Sequence, residues 1–306
     1  MKPVGIIACA PVSPIGVGQE EFAGALLADH RGIAWSDRFN HEVGEVRGFD
    51  LSQYLSTVKT YIDRTSALAL AAMSLLPTRK VALSLGTQWG CMESLETFAG
   101  KVLSGNPKFA PPLVFTHSYA NAPNSLIAIE FGSREFNICL SCGSTSGLVA
   151  LIYAAQQLEL GRCELIAAGG VDSLSRPIFE QESGRTVPLG EGAVLALLGT
   201  EAAEVELLDS YTGSPGAGFL DVVGQLDKST LFIYSSTGLQ EVDDMVQREL
   251  GSRIALDLTP RMGFTLGASG MMGVSAAVAL LRQRKAKTIG VVSADERRMA
   301  AVLLGM

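Results

Sequence analysis

Two segments of unusual composition constrain the fold of this chain more than any other feature. Residues 143–157 and residues 263–281 each begin with a turn of small residues and continue as a helix without a clean polar face. A helix that is apolar all round is normally buried on all sides. Because one such segment lies in each half of the chain, we predict a duplicated α/β unit whose two helices lie between two sheets.

Short apolar runs flank both segments and predict strands that are buried on both faces. No Ser/Gly tract or charge run marks a linker, so we expect two halves, 1–190 and 191–306, that form one compact unit. The predicted strands are 4–10, 81–85, 136–140, 164–168, 193–198, 205–210, 231–234, 288–293 and 300–304, and the predicted helices are 19–27, 66–76, 92–103, 125–131, 148–160, 241–250 and 268–284.

Composition excludes several classes of function. Of the 306 residues, 47% are hydrophobic and 18% are charged, which argues against disorder. The net charge of −7 does not suit a nucleic-acid-binding surface, and the apolar runs are too short to span a bilayer. Pro3, Pro11 and Pro14 interrupt the first apolar run, which therefore does not resemble an export signal, and we expect a cytoplasmic protein.

The five cysteines are interpreted as reduced thiols. Cys139 and Cys142 form the single C-x-x-C pair, and neither a second pair nor closely spaced histidines accompany it. A structural zinc site would need such partners, so we expect no metal and no cofactor. A redox role for the pair is one interpretation. The other is that Cys142 belongs to the small-residue turn that begins the first apolar helix.

That motif carries a resemblance to a known family. Ser144-Thr145-Ser146-Gly147 begins the first apolar helix, and Ala168-Gly169-Gly170 ends the strand that follows it. This arrangement resembles the nucleophile helix of β-ketoacyl synthases. Four further motifs, in the same order as in that family, resemble its N-terminal loop, its Gly-Thr after the second strand, its Gly-Glu-Gly-Ala turn and its C-terminal loop: they are 12–16, 86–87, 190–193 and 263–270.

The resemblance covers nearly the whole chain and implies an α/β fold of the thiolase-like type. Such a fold has five layers, α-β-α-β-α, built from two duplicated halves. The chain is trimmed relative to typical ketosynthases, and we expect the shortened excursions near residues 31–63 and 176–188. Within the family the sequence is most similar to divergent chain-length-factor-type subunits of type II polyketide and polyene systems.

The resemblance places Ser144 at the position of the family's catalytic cysteine. A thiol carries an acyl chain well, because a helix N-terminus favours the nucleophilic thiolate. The helix and the Ala-Gly-Gly after it set this register. Choosing Cys142 as the nucleophile would require a two-residue insertion and would turn every later side chain by about 200°; this alternative stays open here.

The rest of the catalytic set is also replaced. The family's two histidines correspond to Ser235 and Phe264, and its lysine corresponds to Thr259. Residues 294–298 correspond to a glycine-rich segment that supplies an oxyanion-hole donor, but they contain no glycine. A serine without a positioned base is inert near neutral pH, so we predict a ketosynthase fold without condensing activity of its own.

The resulting hypothesis is a chain-length-factor-type partner of an active β-ketoacyl synthase, in polyketide or fatty-acid-like chain elongation on acyl carrier protein. In the family, a segment of one subunit reaches the pocket of its neighbour. Its residues either bind the growing chain or simply fill the dimer interface. In this sequence the corresponding residues are Phe115, Thr116, His117 and Tyr119.

The resemblance also suggests where the dimer interface lies. It points to the helix 66–76, the segment 108–124 and the strand 136–140, which would pair with its copy in the neighbour. The interface of an obligate dimer is large and apolar. We therefore expect a charge at Ile138 to dissociate the protein.

Two other functions remain open. One is a Ser144-dependent acyltransferase or hydrolase that acts on acyl-carrier-protein thioesters, with His117 as the candidate base. A hydrogen bond between the two side chains would favour it. The other is a homodimeric scaffold without a pathway partner.

Several of these residues also have a plain structural interpretation. Ser144 can belong to a helix cap, and Phe264 can fill the space of an absent imidazole or block the substrate channel. Glu191, in its glycine-rich turn, is expected to be structural. Arg297 and Arg298 are interpreted as solvated or ion-paired residues, or as a site for phosphopantetheine or an acidic carrier protein.

Overall fold

The computed structural model describes residues 3–57, 61–105, 107–201, 203–215 and 230–306. Within this part of the chain, eleven strands form one mixed sheet and two more form a separate hairpin. The sheet contains β1 (Val4–Ser13), β2 (Gly16–Val17), β5 (Ala82–Gly86), β6 (Asn137–Leu140), β7 (Leu165–Asp172), β8 (Gly192–Gly199), β9 (Val205–Gly213), β10 (Leu231–Tyr234), β11 (Ala255–Asp257), β12 (Thr288–Ala294) and β13 (Met299–Gly305), and the hairpin contains β3 (Ala34–Ser36) and β4 (His41–Val43).

Helices cover both faces of the sheet. Their ends follow local chemistry: Asp63 begins α2 by accepting a 2.9 Å hydrogen bond from the Thr65 amide, and Gly132 ends α5 in the left-handed conformation. No helix in the described ranges is long and apolar enough to cross a membrane. The helices are α1 (Gln19–Leu27), α2 (Arg64–Ser74), α3 (Met92–Leu103), α4 (Pro112–Thr116), α5 (Ala122–Phe131), α6 (Ser146–Glu159), α7 (Arg176–Gln181), α8 (Gln240–Leu250), α9 (Thr259–Met262) and α10 (Ser269–Arg282).

The strand order shows that the two halves share one topology. One group of five strands runs β6-β5-β7-β8-β1 across the sheet, and the other runs β11-β10-β12-β13-β9. In both groups the first three strands are parallel to one another, and the last two each pair antiparallel with the strand before them. The groups join where residues 4–6 of β1 pair with residues 205–207 of β9. The predicted duplication is therefore confirmed.

Side chains that alternate along each strand divide the core into layers. In β8, Val194 and Ala196 face a cluster that contains α6 and α10, whereas Ala193 and Leu195 face a second cluster with α2 and α5. The outer face of the other strand group packs against α8. With each five-strand group counted as one layer, the resulting order is helix, strands, helix pair, strands and helix, which confirms the five-layer α-β-α-β-α fold.

The two apolar helices lie in the middle layer, as predicted. α6 connects β6 to β7, α10 connects β11 to β12, and both helices are buried along almost their whole length. Backbones from the two halves meet beside them: a Cβ added to Gly147 or to Gly170 would lie 2.7 Å from the Gly267 carbonyl oxygen. Glycine is required at this contact because a larger residue would push the halves apart.

Some elements differ from the predictions. The segment 108–124, expected to be irregular, contains α4 and the start of α5, and neither α7 nor β11 was predicted. Residues 65–73 of α2 are all buried within the chain itself, so this helix offers little surface to a partner. β8 lies beyond the boundary predicted at residue 190 yet pairs with β7 and β1; we therefore propose that the first half extends to Gly199.

Candidate functional site

Ser144 lies in the tight turn between β6 and α6. Gly143 permits this turn because its φ of +62° is left-handed, and α6 begins two residues after Ser144. Ser144 is 3% exposed, and its hydroxyl donates a 2.6 Å hydrogen bond to the Ala294 carbonyl oxygen. The Ser293 hydroxyl donates to the Ser144 carbonyl oxygen at 2.9 Å. These bonds fix the turn against the end of β12, in the other half of the chain.

A cavity of about 280 Å³ reaches Ser144. Its wall mixes charged, polar and apolar side chains, whereas burial of an acyl chain is favoured by a continuous apolar lining. Of the other sequence-predicted site residues, neither Ser235, Phe264 nor His117 belongs to the lining found among the described residues. The lining residues are Gln88, Gly143, Ser144, Arg185, Thr237, Leu239, Val242, Ala294, Asp295, Glu296 and Arg297.

The Asp295 carboxylate lies against the turn that holds Ser144. A Cβ on Gly143 would be only 2.4 Å from Asp295 Oδ2. The other carboxylate oxygen accepts hydrogen bonds from the backbone amides of Arg297 and Arg298, both at 2.9 Å. Acyl transfer needs hydrogen-bond donors beside the nucleophile, where an oxyanion develops. Here the Asp295 carboxylate, an acceptor, lies beside the predicted nucleophile position instead.

The two positions that are predicted to correspond to the family's histidines lie in different surroundings. Phe264 is 1% exposed and packs in an apolar cluster with Leu189 and Leu266. Ser235 directly follows β10 and is half-buried. In the same loop the Thr237 amide donates a 2.7 Å hydrogen bond to Asp243. Neither position carries a side chain that could serve as a base near neutral pH.

Sequence reasoning missed an arginine that contacts both of these regions. The Arg185 guanidinium lies over the Phe264 ring, 4.6 Å from its centroid, and donates a 2.8 Å hydrogen bond to the Thr237 carbonyl oxygen. The Arg185 side chain is only 9% exposed. It comes from the segment expected to be trimmed, where no motif pointed to a functional residue.

A buried carboxylate holds Arg185 in this position. Arg185 Nε donates to Glu182 Oε2 at 2.5 Å. The second carboxylate oxygen of Glu182 accepts from Gln88 Nε2 at 2.9 Å and from Trp89 Nε1 at 2.8 Å. The ion pair therefore joins the loop after β5, the segment after α7 and the two C-terminal regions that Arg185 contacts.

The aromatic segment after α3 lies on the surface beside an apolar groove. The Phe115 ring packs on Phe98 and Tyr119, with centroids 4.8 Å and 5.1 Å apart. Thr116 is exposed, and its hydroxyl donates to the Leu113 carbonyl oxygen at 2.8 Å. The groove has a volume of about 440 Å³, and Phe115 and Tyr119 are among its lining residues.

His117 turns away from this surface. It is buried, and its ring packs edge-on against Tyr61, with centroids 5.5 Å apart. The Ser144 hydroxyl, by contrast, donates to a backbone carbonyl. The contacts of the described residues thus provide no bond between the serine and this imidazole.

Two buried carboxylates, Asp172 and Glu191, fix the loops around the site. Asp172, at the end of β7, accepts hydrogen bonds from the Thr87 hydroxyl and from the amides of Gln88, Trp89 and Gly267, at 2.7 to 2.9 Å. Burial raises the pKa of the Asp172 carboxyl to about 6, and these four donors limit the rise. Asp172 thereby ties the loop after β5 to the turn that precedes α10.

Glu191 has the contacts of a structural residue. It is fully buried and forms a 2.6 Å ion pair with Arg64. It also accepts hydrogen bonds from the Val46 amide at 2.9 Å and the Leu174 amide at 3.0 Å. Its carboxylate therefore joins three chain segments rather than facing the cavity.

The C-x-x-C pair contains free thiols. Burial, together with the charge of Asp172, raises the pKa of Cys139 to about 11, and its thiol donates to the Ala120 carbonyl oxygen at 3.4 Å. Cys142 is half-buried, and its amide donates to the Ser146 hydroxyl at 2.8 Å. Among the described residues, no three His, Cys, Asp or Glu side chains are grouped as a metal site.

Part of the amino-acid sequence is similar to known proteins. Residues 52–182 match the family model for the N-terminal domain of β-ketoacyl synthases. The 3-oxoacyl-[acyl-carrier-protein] synthase 2 of Vibrio cholerae is 26% identical over 185 residues, 55% of this chain and 45% of the relative. The chloroplastic synthase I of Arabidopsis thaliana is 22% identical over 198 residues, 58% of this chain and 42% of the relative. The chain thus spans less than half the length of these curated relatives.

Solved structures share the fold over the whole chain. The ishigamide ketosynthase/chain length factor superposes with a TM-score of 0.87 at 22% identity and covers 99% of both chains. A ketosynthase in complex with its chain length factor, from Xenorhabdus doucetiae, gives 0.81 at 15% identity and covers 100% of this chain and 98% of that one. A β-ketoacyl synthase from Burkholderia phymatum gives 0.85 at 16% identity, with 100% and 99% covered.

These likenesses show the fold of the chain, which is the thiolase type shared with solved ketosynthases. Over residues 52–182 the sequence also matches the N-terminal domain of β-ketoacyl synthases, so this part of the chain is similar to that family.

Proposed function

We propose that this protein is a non-catalytic ketosynthase-like subunit, a chain-length-factor-type partner of an active β-ketoacyl synthase. The observation that carries the proposal is the state of Ser144: its hydroxyl donates to the Ala294 carbonyl oxygen, and the Asp295 carboxylate lies against the adjoining Gly143. A nucleophile needs the opposite arrangement, with a base to take its proton and donors to stabilise the oxyanion.

The replaced histidine positions support the same conclusion. Phe264 is sealed in an apolar cluster beneath Arg185, and Ser235 provides a hydroxyl in place of an imidazole. A general acid–base group accelerates a reaction by about 10²–10⁴-fold. An oxyanion-hole donor contributes a further factor of about 10²–10³ to the rate. A protein without either contribution keeps the fold but performs little condensation on its own.

The surface beside β6 supports the proposed partnership. β6 is the last strand at one end of the sheet, so one of its edges is unpaired within the described chain. Exposed strand edges are normally covered or paired. The apolar groove adjoins this edge, because Ala120 lines the groove and also accepts the hydrogen bond from Cys139 of β6. An edge strand beside an apolar groove suits a partner that extends the sheet and buries the groove.

The named relatives suggest which partner this is. Two of the solved structures with the same fold are described as a ketosynthase with its chain length factor, and another contains a type II polyketide ketosynthase with its acyl-carrier protein. By analogy, we propose that an active ketosynthase with an intact Cys-His-His set occupies the β6 surface, and that acyl carrier protein delivers substrates to the pair. Phe115, Thr116 and Tyr119 would then lie near the chain held by the partner, whereas His117, which was predicted with them, is buried against Tyr61.

Coexpression tests this proposal. The protein is produced together with a type II polyketide ketosynthase that retains the Cys-His-His set, and only one chain carries an affinity tag. We expect a 1:1 heterodimer by native mass spectrometry. Recovery of homodimers alone, with the ketosynthase present and folded, would reject the partnership and favour the homodimeric scaffold.

A Ser144-dependent acyltransferase is the second candidate, since the cavity does reach Ser144. Its discriminating feature would be a covalent acyl group on the Ser144 oxygen. We expect none, because the hydroxyl proton is directed to a backbone carbonyl rather than to a base.

A further inference from the structure

We propose that Arg185, held by Glu182, forms an internal partition that closes the Ser144 cavity and separates it from the region in which the family keeps its second histidine. The proposal concerns this subunit alone. It does not depend on a partner, and its failure would leave the proposed function intact.

The two sides of Arg185 face different environments. One side lines the polar cavity that reaches Ser144. The other side lies on the Phe264 ring, which belongs to a buried apolar cluster and not to the cavity lining. The guanidinium therefore lies between the Ser144 cavity and the apolar cluster that contains Phe264.

The partition is built to stay in place. A long, flexible side chain loses conformational entropy when it is fixed, and Arg185 is fixed by a charged hydrogen bond to Glu182 and a second bond to the Thr237 carbonyl oxygen. Glu182 is itself buried and held by Gln88 and Trp89. Because charge-assisted bonds are the stronger ones, opening this wall requires the loss of several of them together.

The partition explains why the cavity at Ser144 is small. With Arg185 present, the space that reaches the serine measures about 280 Å³ and has a mixed, charged wall. An acyl group delivered to its mouth would meet a guanidinium rather than an apolar tunnel, and burying a charged group against a hydrocarbon chain is unfavourable. We infer that this subunit holds no acyl chain in its own interior.

Thiol reporters on the two sides of Arg185 test this inference. Ser144→Cys places a thiol in front of the partition, and Phe264→Cys places one behind it. Each protein is treated with iodoacetamide, and alkylation is followed by mass spectrometry of tryptic peptides. The peptide from 262 to 282 contains no native cysteine, so the reading at position 264 is unambiguous.

We expect the thiol at position 264 to react at least 100-fold more slowly than the thiol at position 144. Adding Arg185→Ala should accelerate the reaction at 264 at least tenfold, and adding Glu182→Gln should accelerate it in the same direction. Arg176→Ala removes an exposed ion pair from the same segment and should change the rate less than twofold. Urea unfolding of each variant gives the fraction of molecules that are globally unfolded. The alkylation rate that this fraction accounts for is subtracted from the measured alkylation rate.

Two results would overturn the partition. One is a fast reaction at position 264 while Arg185 is intact; the other is a corrected rate that Arg185→Ala leaves unchanged. Leu189→Cys, in the same apolar cluster, replaces the reporter if Phe264→Cys does not fold, and the same outcomes apply to it.

Discussion

The Ser144 hydroxyl and the Ala294 carbonyl oxygen form a 2.6 Å hydrogen bond that connects the turn before α6 with the last residue of β12. One residue comes from each duplicated half. The position that is predicted to match the family's nucleophile forms a structural link in this protein. This difference leads to separate expectations for stability and for activity.

Ser144→Ala should destabilise the protein without reducing the condensation activity of the proposed complex. Loss of the hydroxyl leaves a buried carbonyl oxygen without its donor, which costs about 1–3 kcal/mol in the free energy of unfolding. Condensation by the pair should change less than twofold, because the partner carries the chemistry. Urea denaturation and a condensation assay check the two parts. Ser104→Ala, on an exposed helix end, is the control and should stay within about 0.5 kcal/mol; a tenfold loss of activity in folded Ser144→Ala would count against the account.

Restoring the family's catalytic residues should not restore catalysis. In the triple variant Ser144→Cys/Ser235→His/Phe264→His, Asp295 still stands beside the nucleophile and Arg185 still covers position 264. We expect no condensation by the purified triple variant above that of the unmodified protein. The measurement is product formation from acyl-carrier thioesters, with an active ketosynthase as the positive control. Turnover comparable to that of the active ketosynthase would show that Asp295 and Arg185 do not prevent condensation.

Arg64→Met should destabilise the fold strongly. The substitution leaves the fully buried Glu191 carboxylate without its cation, and breaking a buried pair in this way costs about 3–5 kcal/mol. Arg176→Ala breaks the exposed pair with Glu180 and should cost less than about 1 kcal/mol. Urea denaturation compares the two variants. Equal effects would mean that Glu191 is stabilised mainly by its backbone donors.

Stability should depend on pH through Asp172. Its pKa in the folded protein, about 6, lies above the ordinary pKa of an aspartate side chain, 3.8. The folded state thus binds the proton more tightly, so this contribution is complete below pH 4 and is lost as the pH rises through 6. The stability of the unmodified protein relative to Asp172→Asn should fall by about 2–3 kcal/mol between pH 4 and pH 7. A constant difference in urea denaturation across this range would refute the assignment.

Ile138→Asp should dissociate the protein from its partner. Ile138 is half-buried on β6, the strand at the end of the sheet, and a charge there would be desolvated if the strand pairs with a neighbour. Light scattering reports the change in mass. Leu160→Asp, at an exposed helix end, is the matched control and should leave the assembly intact. An Ile138→Asp protein that remains dimeric would remove β6 from the interface.

The fold was predictable because its signals are local. Continuous apolar runs gave most of the strands, and the two helices without a polar face predicted the middle layer. Short elements such as β11 and α4 were missed because three to five residues carry too little periodicity.

The site was only partly predictable. Small-residue motifs place Ser144 and Phe264, because they stand inside long recognisable segments. Arg185 and Asp172 were not found: their contacts connect distant segments, and neither residue belongs to a pattern that reports what it will touch. Such long-range charge placement depends on the completed packing, which single-sequence patterns do not encode.

Intact-mass spectrometry of the reconstituted pair tests the central claim most directly. The complex is incubated with an acyl-carrier thioester, and the mass of each chain is measured separately. We predict an acyl adduct on the cysteine-bearing ketosynthase and an unchanged mass for this chain. An adduct on this chain that Ser144→Ala abolishes would contradict the account and make the protein an acyltransferase.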